Sequence, residues 1–227
     1  MDPNGSLLDR IDGPRDLAGL SLLELHRLAG ELRERIISVV SQNGGHLASN
    51  LGVVELAIAL HRVFRSPADA IIWDVGHQCY AHKLLTGRRE AFPTLRTAGG
   101  LSGFPKPSES PHDPVETGHA STAISYGLGL AAGRAINGEK GRVVSVVGDG
   151  ALSGGLALAG LNHAGHLGKN LVIVLNDNAM SISRNVGAIS SYLGRLTTSR
   201  LYQAFRREFD RAVSRLPVIG SELSRYV

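Results

Sequence analysis

The sequence has a single cysteine, Cys79, so neither a disulfide framework nor a thiolate metal site can be built from it. It also lacks a long apolar run, since no stretch reaches the ~20 residues that a bilayer-spanning helix requires. The opening residues, MDPNGSLLDRIDG, lack the apolar core of a secretory leader, and internal repeats are missing. The expectation is therefore a cytoplasmic protein. What is present suits a globular chain: 227 residues, 43% hydrophobic and 19% charged, enough for one large α/β domain with a core of its own.

The formal charge of +4 resides at one end. From Arg195 onward there are arginines at 195, 200, 206, 207, 211, 215 and 225, opposed only by Glu208, Asp210 and Glu222. A basic tail raises the question of nucleic acid or a membrane surface. Leu201, Phe205, Phe209, Val213 and Leu216 recur at helical spacing, however, so the segment reads as an amphipathic helix with a basic solvent face. Neither nucleic acid nor membrane is expected as a partner.

The richest stretch lies between Val143 and Met180. Arg142 to Val147 and Leu171 to Leu175 are continuous β-branched or aliphatic runs, as expected of strands buried on both faces of a parallel sheet. Leu152 to Gly165 carries Leu152, Leu156, Leu158 and Leu161 among Ala and Gly, and reads as one helix packed tightly on a neighbour. A strand, a helix and a strand make a crossover with both strands parallel, so both strands end at the same edge. There the first is followed by Gly148-Asp149-Gly150 and the second by Asn176-Asp177-Asn178. Open α/β sheets bind ligands beyond the carboxyl ends of their strands.

The residue types at that edge suit a magnesium ion and a diphosphate. Magnesium takes oxygen ligands, commonly one or two carboxylates completed by phosphate and water. Asp149 supplies a carboxylate, Asn178 a side-chain carbonyl, and a backbone carbonyl near Met180 a third oxygen. Gly150 and Ala151 open a helix, and their small size lets phosphate approach its backbone N–H groups. Alone, the GDG would be a strand–turn–helix in which Asp149 merely caps. With a second strand and an NDN at this distance, a site is the better reading.

The rest of the chain supplies the frame. Ser21 and Glu24 form a capping box that opens a helix to about Gln42, ended by Gly44 and Gly45. A second helix spans about Val53 to Arg65, a strand Ala70 to Val75, and a short helix Gln78 to Thr86. Residues 99 to 117, rich in Gly, Pro and Ser, form a long loop, and such loops in compact domains are usually functional or disordered. Ser121 to Ile136 is a helix whose Gly127, Gly129 and Gly133 are spaced for close packing. The fold class is α/β: a doubly wound, mostly parallel sheet with helices on both faces. Residues 1–183 form the α/β domain, and 184–227 a mobile or helical extension of it.

Three histidines stand at element boundaries: His46 after two glycines, His77 after Gly76, and His119 after Gly118. A lone histidine is more often structural than catalytic, but three in Gly-His contexts shift the balance toward a site. His26, His61, His163 and His166 read as structural, and His82 stays open.

Taken together, these stretches resemble the 1-deoxy-D-xylulose-5-phosphate synthase family of the transketolase-like thiamine diphosphate superfamily. The GDG…NDN pair resembles the superfamily's cofactor motif, and NDNAMSIS is similar to the synthase form. NGGHLASNLG (43–52), IWDVGHQCYAHKLLTGR (72–88) and GLSGFPKPSESPHDPVETGHASTAIS (100–125) are each close to family segments, and the likeness is nearly continuous over residues 15 to 195.

The resemblance implies thiamine diphosphate and Mg2+ as cofactors. It places Asp149, Asn178 and Met180 at the metal, and Gly150, Ala151, Asn178, His77, Gly118, His119 and Ala120 at the cofactor. His46 and His77 would assist proton transfer. The implied reaction joins pyruvate to glyceraldehyde 3-phosphate, giving 1-deoxyxylulose 5-phosphate and carbon dioxide for isoprenoid, thiamine and pyridoxal precursors. A homodimer, or pairing with a chain that carries further domains, is implied as well.

Two departures stand out. The family has a pyrimidine-binding domain with an activating glutamate, without counterpart in these 227 residues. Ala159 also stands where the family commonly has glutamate, and Ala120 where it commonly has serine. Three readings stay open: the N-terminal part of such a synthase, inactive alone; the N-terminal subunit of a split transketolase; and a non-enzymatic cofactor-binding or interaction module.

Overall fold

A computed structural model of the chain describes residues 5–177. The expectations for Asn178, Met180 and the 184–227 extension with its basic helix fall outside those residues.

The elements follow one another as α1 (Leu22–Asn43), α2 (Leu47–Leu51), α3 (Val54–Val63), β1 (Ala70–Trp73), α4 (Tyr80–Leu85), α5 (Ala123–Asn137), β2 (Val143–Gly148), α6 (Asp149–Leu152), α7 (Gly155–Leu167) and β3 (Leu171–Asn176). The capping box of α1 is reciprocal: Glu24 N–H donates to Ser21 Oγ at 3.3 Å, and Ser21 N–H to Glu24 Oε2 at 2.8 Å. Leu25, Leu28, Leu32, Ile36 and Val39 form its buried stripe, and Gly44 ends it at φ 76°, a conformation open to glycine.

The strands run parallel in the order β1-β2-β3. Pairing joins Ile71 to Val144 and Trp73 to Val146, and β2 and β3 stay in register from Val143–Leu171 to Gly148–Asn176. Because side chains alternate, Ile71, Trp73, Val144 and Val146 share one face and enter the core with α1, α3 and α4. The opposite face receives α5, where Ser145 Oγ donates to the carbonyl of Ala123 at 2.8 Å. Helices thus cover both faces, as the sequence leads one to expect. Gly127 makes the fit possible, because a Cβ there would lie 2.3 Å from Ser145 Oγ.

Several expectations need correction. The segment after the GDG is two helices, α6 and α7, separated at Ser153–Gly154. Leu152 of α6 is buried, but the buried residues of α7 are the small Ala157 and Gly160, and Leu156 is half exposed. The expected tight packing on a neighbour is made against α5 by small residues between the leucines. Gly160 fits there against Ile124 and Ser125, while Gly129 and Gly133 face open space rather than a packing partner. The third strand, β3, is not buried on both faces. Val172 and Leu175 remain partly exposed, and among the described residues β3 pairs only with β2. The first strand ends at Trp73, two residues early, because Val75 adopts φ 58° and Asp74 O accepts a hydrogen bond from Gly76 N–H.

The loop over residues 99–117 is pinned by buried charge. Lys83 Nζ donates to Glu109 Oε2 at 2.5 Å, and Glu109 Oε1 accepts from Ser102 N–H at 2.7 Å. Arg88 donates through both terminal nitrogens to Asp113, at 2.5 and 3.1 Å. His82 Nε2 lies 2.7 Å from Asp113 Oδ1, and His82 Nδ1 lies 2.8 Å from His61 Nε2. A carboxylate accepts, so His82 carries its proton on Nε2, and His61 Nε2–H then donates to His82 Nδ1. This anchors a loop without secondary structure to α3 and α4, and gives His61 and His82 structural roles.

Candidate functional site

The carboxyl ends of all three strands open onto one edge, where the predicted residues gather. β1 runs into Asp74-Val75-Gly76-His77-Gln78, β2 into Gly148-Asp149, and β3 into Asn176-Asp177. Asn176 Nδ2 donates to Gln78 Oε1 at 3.3 Å, joining the outer strands' ends.

Asp74 organises the next layer. Its buried carboxylate accepts from the N–H groups of Ser121 (2.8 Å), Thr122 (2.9 Å) and Ala123 (2.9 Å), holding the start of α5 against β1. Gly118, His119 and Ala120 therefore arrive at the edge exposed. Ser121 has φ 72° and donates from Oγ to the carbonyl of Ala151 at 2.7 Å. That bond draws the Gly118–Ala120 segment to the turn of Gly150 and Ala151. A Cβ at Gly118 or Gly148 would meet nothing within 4 Å, so the backbone at both places faces open space.

His46 and His77 are brought together. Their ring centroids lie 5.5 Å apart, edge to face, and Phe104 of the long loop stands 6.2 Å from His46 in the same orientation. Burial lowers the pKa of both, with Arg96 adding to the effect at His46, and His46 at His77. Both are neutral at pH 7. His77 Nδ1 is buried without a hydrogen-bond partner among the described residues. Buried polar atoms are nearly always satisfied, so this nitrogen is suited to meet a ligand group or water.

Of the predicted residues, His46, His77, Gly118, His119, Ala120, Asp149, Gly150 and Ala151 lie on elements that meet at this edge. Gly150 and Ala151 do open a helix, the four-residue α6, with Gly148 as its N-cap. Asn50, Asp74, Gln78, Phe104 and Ser121 were missed. Asn50 and Asp74 are polar residues within otherwise apolar or glycine-rich motifs, the one signal that could have marked them. Ala159 lines a groove of about 300 Å³ between α5 and α7 with Leu128, His163 and Leu167.

Cys79 is fully buried, and burial pushes its thiol up to about 12, so it takes no part at neutral pH.

Among solved structures, a transketolase from Leishmania mexicana matches with a TM-score of 0.63 at 20% identity, over 75% of this chain and 30% of that one. At such identity the likeness establishes the fold alone, a parallel α/β sheet with helices on both faces. The sequence comparisons narrow it. The family model described as 1-deoxy-D-xylulose-5-phosphate synthase matches residues 8–227. Named synthases are 59% identical over 215 residues in Geobacter metallireducens and 58% over 221 residues in Pelotomaculum thermopropionicum. The chain belongs to the 1-deoxy-D-xylulose-5-phosphate synthase family. It covers 34% of the length of each of these two relatives, which are matched over 95% and 97% of this chain.

Proposed function

We propose that this chain provides the diphosphate- and magnesium-binding half of the thiamine diphosphate site in a 1-deoxy-D-xylulose-5-phosphate synthase. The reaction is the condensation of pyruvate with glyceraldehyde 3-phosphate to 1-deoxyxylulose 5-phosphate and carbon dioxide. The observation that carries this reading is the in-register ending of β2 and β3 at Gly148 and Asn176, so that the residues following them, Asp149 and Asp177, leave the sheet at the same edge, where open α/β sheets bind ligands. The open backbone at Gly118 and Gly148 and the orphan Nδ1 of His77 fit the presence of a polar ligand there.

In this reading Asp149 would contribute a carboxylate to magnesium, and Asn178 and the carbonyl of Met180 would complete the protein's ligands. Backbone N–H groups at Gly150 and Ala151 would hold the diphosphate, with Gly118, His119 and Ala120 contributing from the neighbouring segment. When bound, the cofactor supplies the electron sink for decarboxylation. His46 and His77, neutral at pH 7, accept or return a proton at a ring nitrogen and present an edge-to-face wall to the substrate. The protein acts in the cytoplasm as a homodimer, or paired with a chain bearing the pyrimidine-binding domain.

Thermal denaturation with thiamine diphosphate and magnesium tests the reading. A rise in Tm that needs both, and that chelation or Asp149→Ala removes, supports it. An unchanged Tm in the wild type under both additions sinks it. The chain alone is expected to show no turnover, and carbon dioxide release from pyruvate by the purified chain would contradict that expectation.

A further inference from the structure

His46 and His77 both follow backbone that regular structure does not hold. Gly44 and Gly45 precede His46 with φ 76° and 144°, and Val75 and Gly76 precede His77 with φ 58° and 86°. One buried side chain bridges the two loops. Asn50, with 0% exposure, donates from Nδ2 to the carbonyl of His46 at 2.6 Å and to that of His77 at 2.7 Å. Its Oδ1 accepts from Tyr80 N–H at 2.9 Å, fixing the amide's orientation against α4. Both hydrogens of one NH2 group are thus spent on the two histidine carbonyls.

We propose that Asn50 is a positioning residue, whose amide ties the His46 and His77 loops together and so sets the two imidazoles edge to face. The inference rests on the reading of those histidines as site residues. Two features favour positioning over simple satisfaction of a buried amide. The bonds go to the very residues whose rings face each other, across 27 positions of sequence for Asn50 and His77. The other tie to His46 is its N–H to the Tyr80 hydroxyl, longer at 3.4 Å, where the missing Cβ of Gly45 leaves the hydroxyl room. Without Asn50 the first loop loses the shorter of these two hydrogen bonds, and the second its hydrogen-bonded link to the first.

A double-mutant cycle read by NMR of the imidazoles tests this. In the wild-type chain, rings in contact give a cross-relaxation signal, and His46→Ala raises the His77 pKa by removing a ring that, once protonated in acid, repels a proton on His77. In Asn50→Ala the signal is lost, and adding His46→Ala no longer moves His77. If the ring signal and the coupling persist in Asn50→Ala, the amide is only structural and the proposal is wrong, whatever happens to Tm. Should Asn50→Ala fail to fold, Asn50→Ser leaves room for a water to satisfy the freed backbone and is read in the same way. The site reading is judged separately, by whether thiamine diphosphate with magnesium shifts the wild-type His46 and His77 resonances. Coupling that depends on Asn50 without such a shift would keep the positioning role and refute the site.

Discussion

Gly154 lies directly beneath Ser121: a Cβ at Gly154 would stand 2.1 Å from the Ser121 Oγ that holds the Ala151 carbonyl. Gly154→Ala must therefore drive the serine away and break the link between the Gly118–Ala120 segment and the Gly150-Ala151 turn. Overpacking of this kind costs about 1–3 kcal/mol. The expected outcome is a lower denaturant midpoint at unchanged slope. Cofactor-dependent thermal stabilisation should shrink with it.

Lys83 and Glu109 make the inner fastening of the long loop, the lysine side chain having no exposure and the glutamate little. Lys83→Met removes the cation and leaves a poorly solvated carboxylate, for which about 3–5 kcal/mol is usual. Arg88 lies 3.7 Å from the same carboxylate, so the lower end is expected. Limited proteolysis should then cut within 99–117 before anywhere else among the described residues. Resistance equal to wild type would refute the fastening.

Acid should loosen the same network. Burial, above all, pushes His82 down to about 4 from an ordinary value of 6.5, and His61 is lowered by the same cause. Below pH 6.5 the unfolded chain binds protons that the native chain refuses, so stability is full above that pH and falls as pH drops toward 4. Burial would raise Asp113, but hydrogen bonds from His82 and Arg88 outweigh it and hold its carboxyl well below the usual range. Its contribution is kept above pH 3.8 and lost only further down. Denaturant midpoints at pH 7, 5.5 and 4.5 should fall in that order. A flat profile would contradict neutral, buried histidines.

Cys79 offers a reporter. Its buried, high-pKa thiol should resist alkylation at pH 8 in the native state and react once the chain unfolds. The labelling rate should follow global opening, and fast labelling in native buffer would place the thiol elsewhere.

Much of the arrangement was legible because the signals were local. The Ser21–Glu24 box, the glycines after α1 and the aliphatic runs at Val143 and Leu171 each declare an element through nearest neighbours. Less was legible where the determinant was a partner distant in sequence. Nothing near Leu156 reveals that Ala157 and Gly160 face α5, because that depends on the separation of two helices. Nothing in residues 99–117 shows that Glu109 and Asp113 are spent on Lys83 and Arg88. The histidines His46 and His77 were recognisable from their glycine contexts, but Asn50 between them was not. An asparagine has many fates, and only the fold shows two carbonyls within its reach.

The unbroken pairing of β2 with β3 makes strand length a ruler for the polar clusters at their ends. Each strand residue advances the chain by about 3.3 Å and reverses the face its side chain takes. One residue added within Val143–Gly148 would carry Asp149 past Asp177 and exchange the residues facing α5 for those facing the core. The same residue added between Gly138 and Arg142 would leave every pairing intact. Length variation in this chain should therefore be tolerated on the side of the sheet away from the candidate site, and excluded from the strands that deliver it.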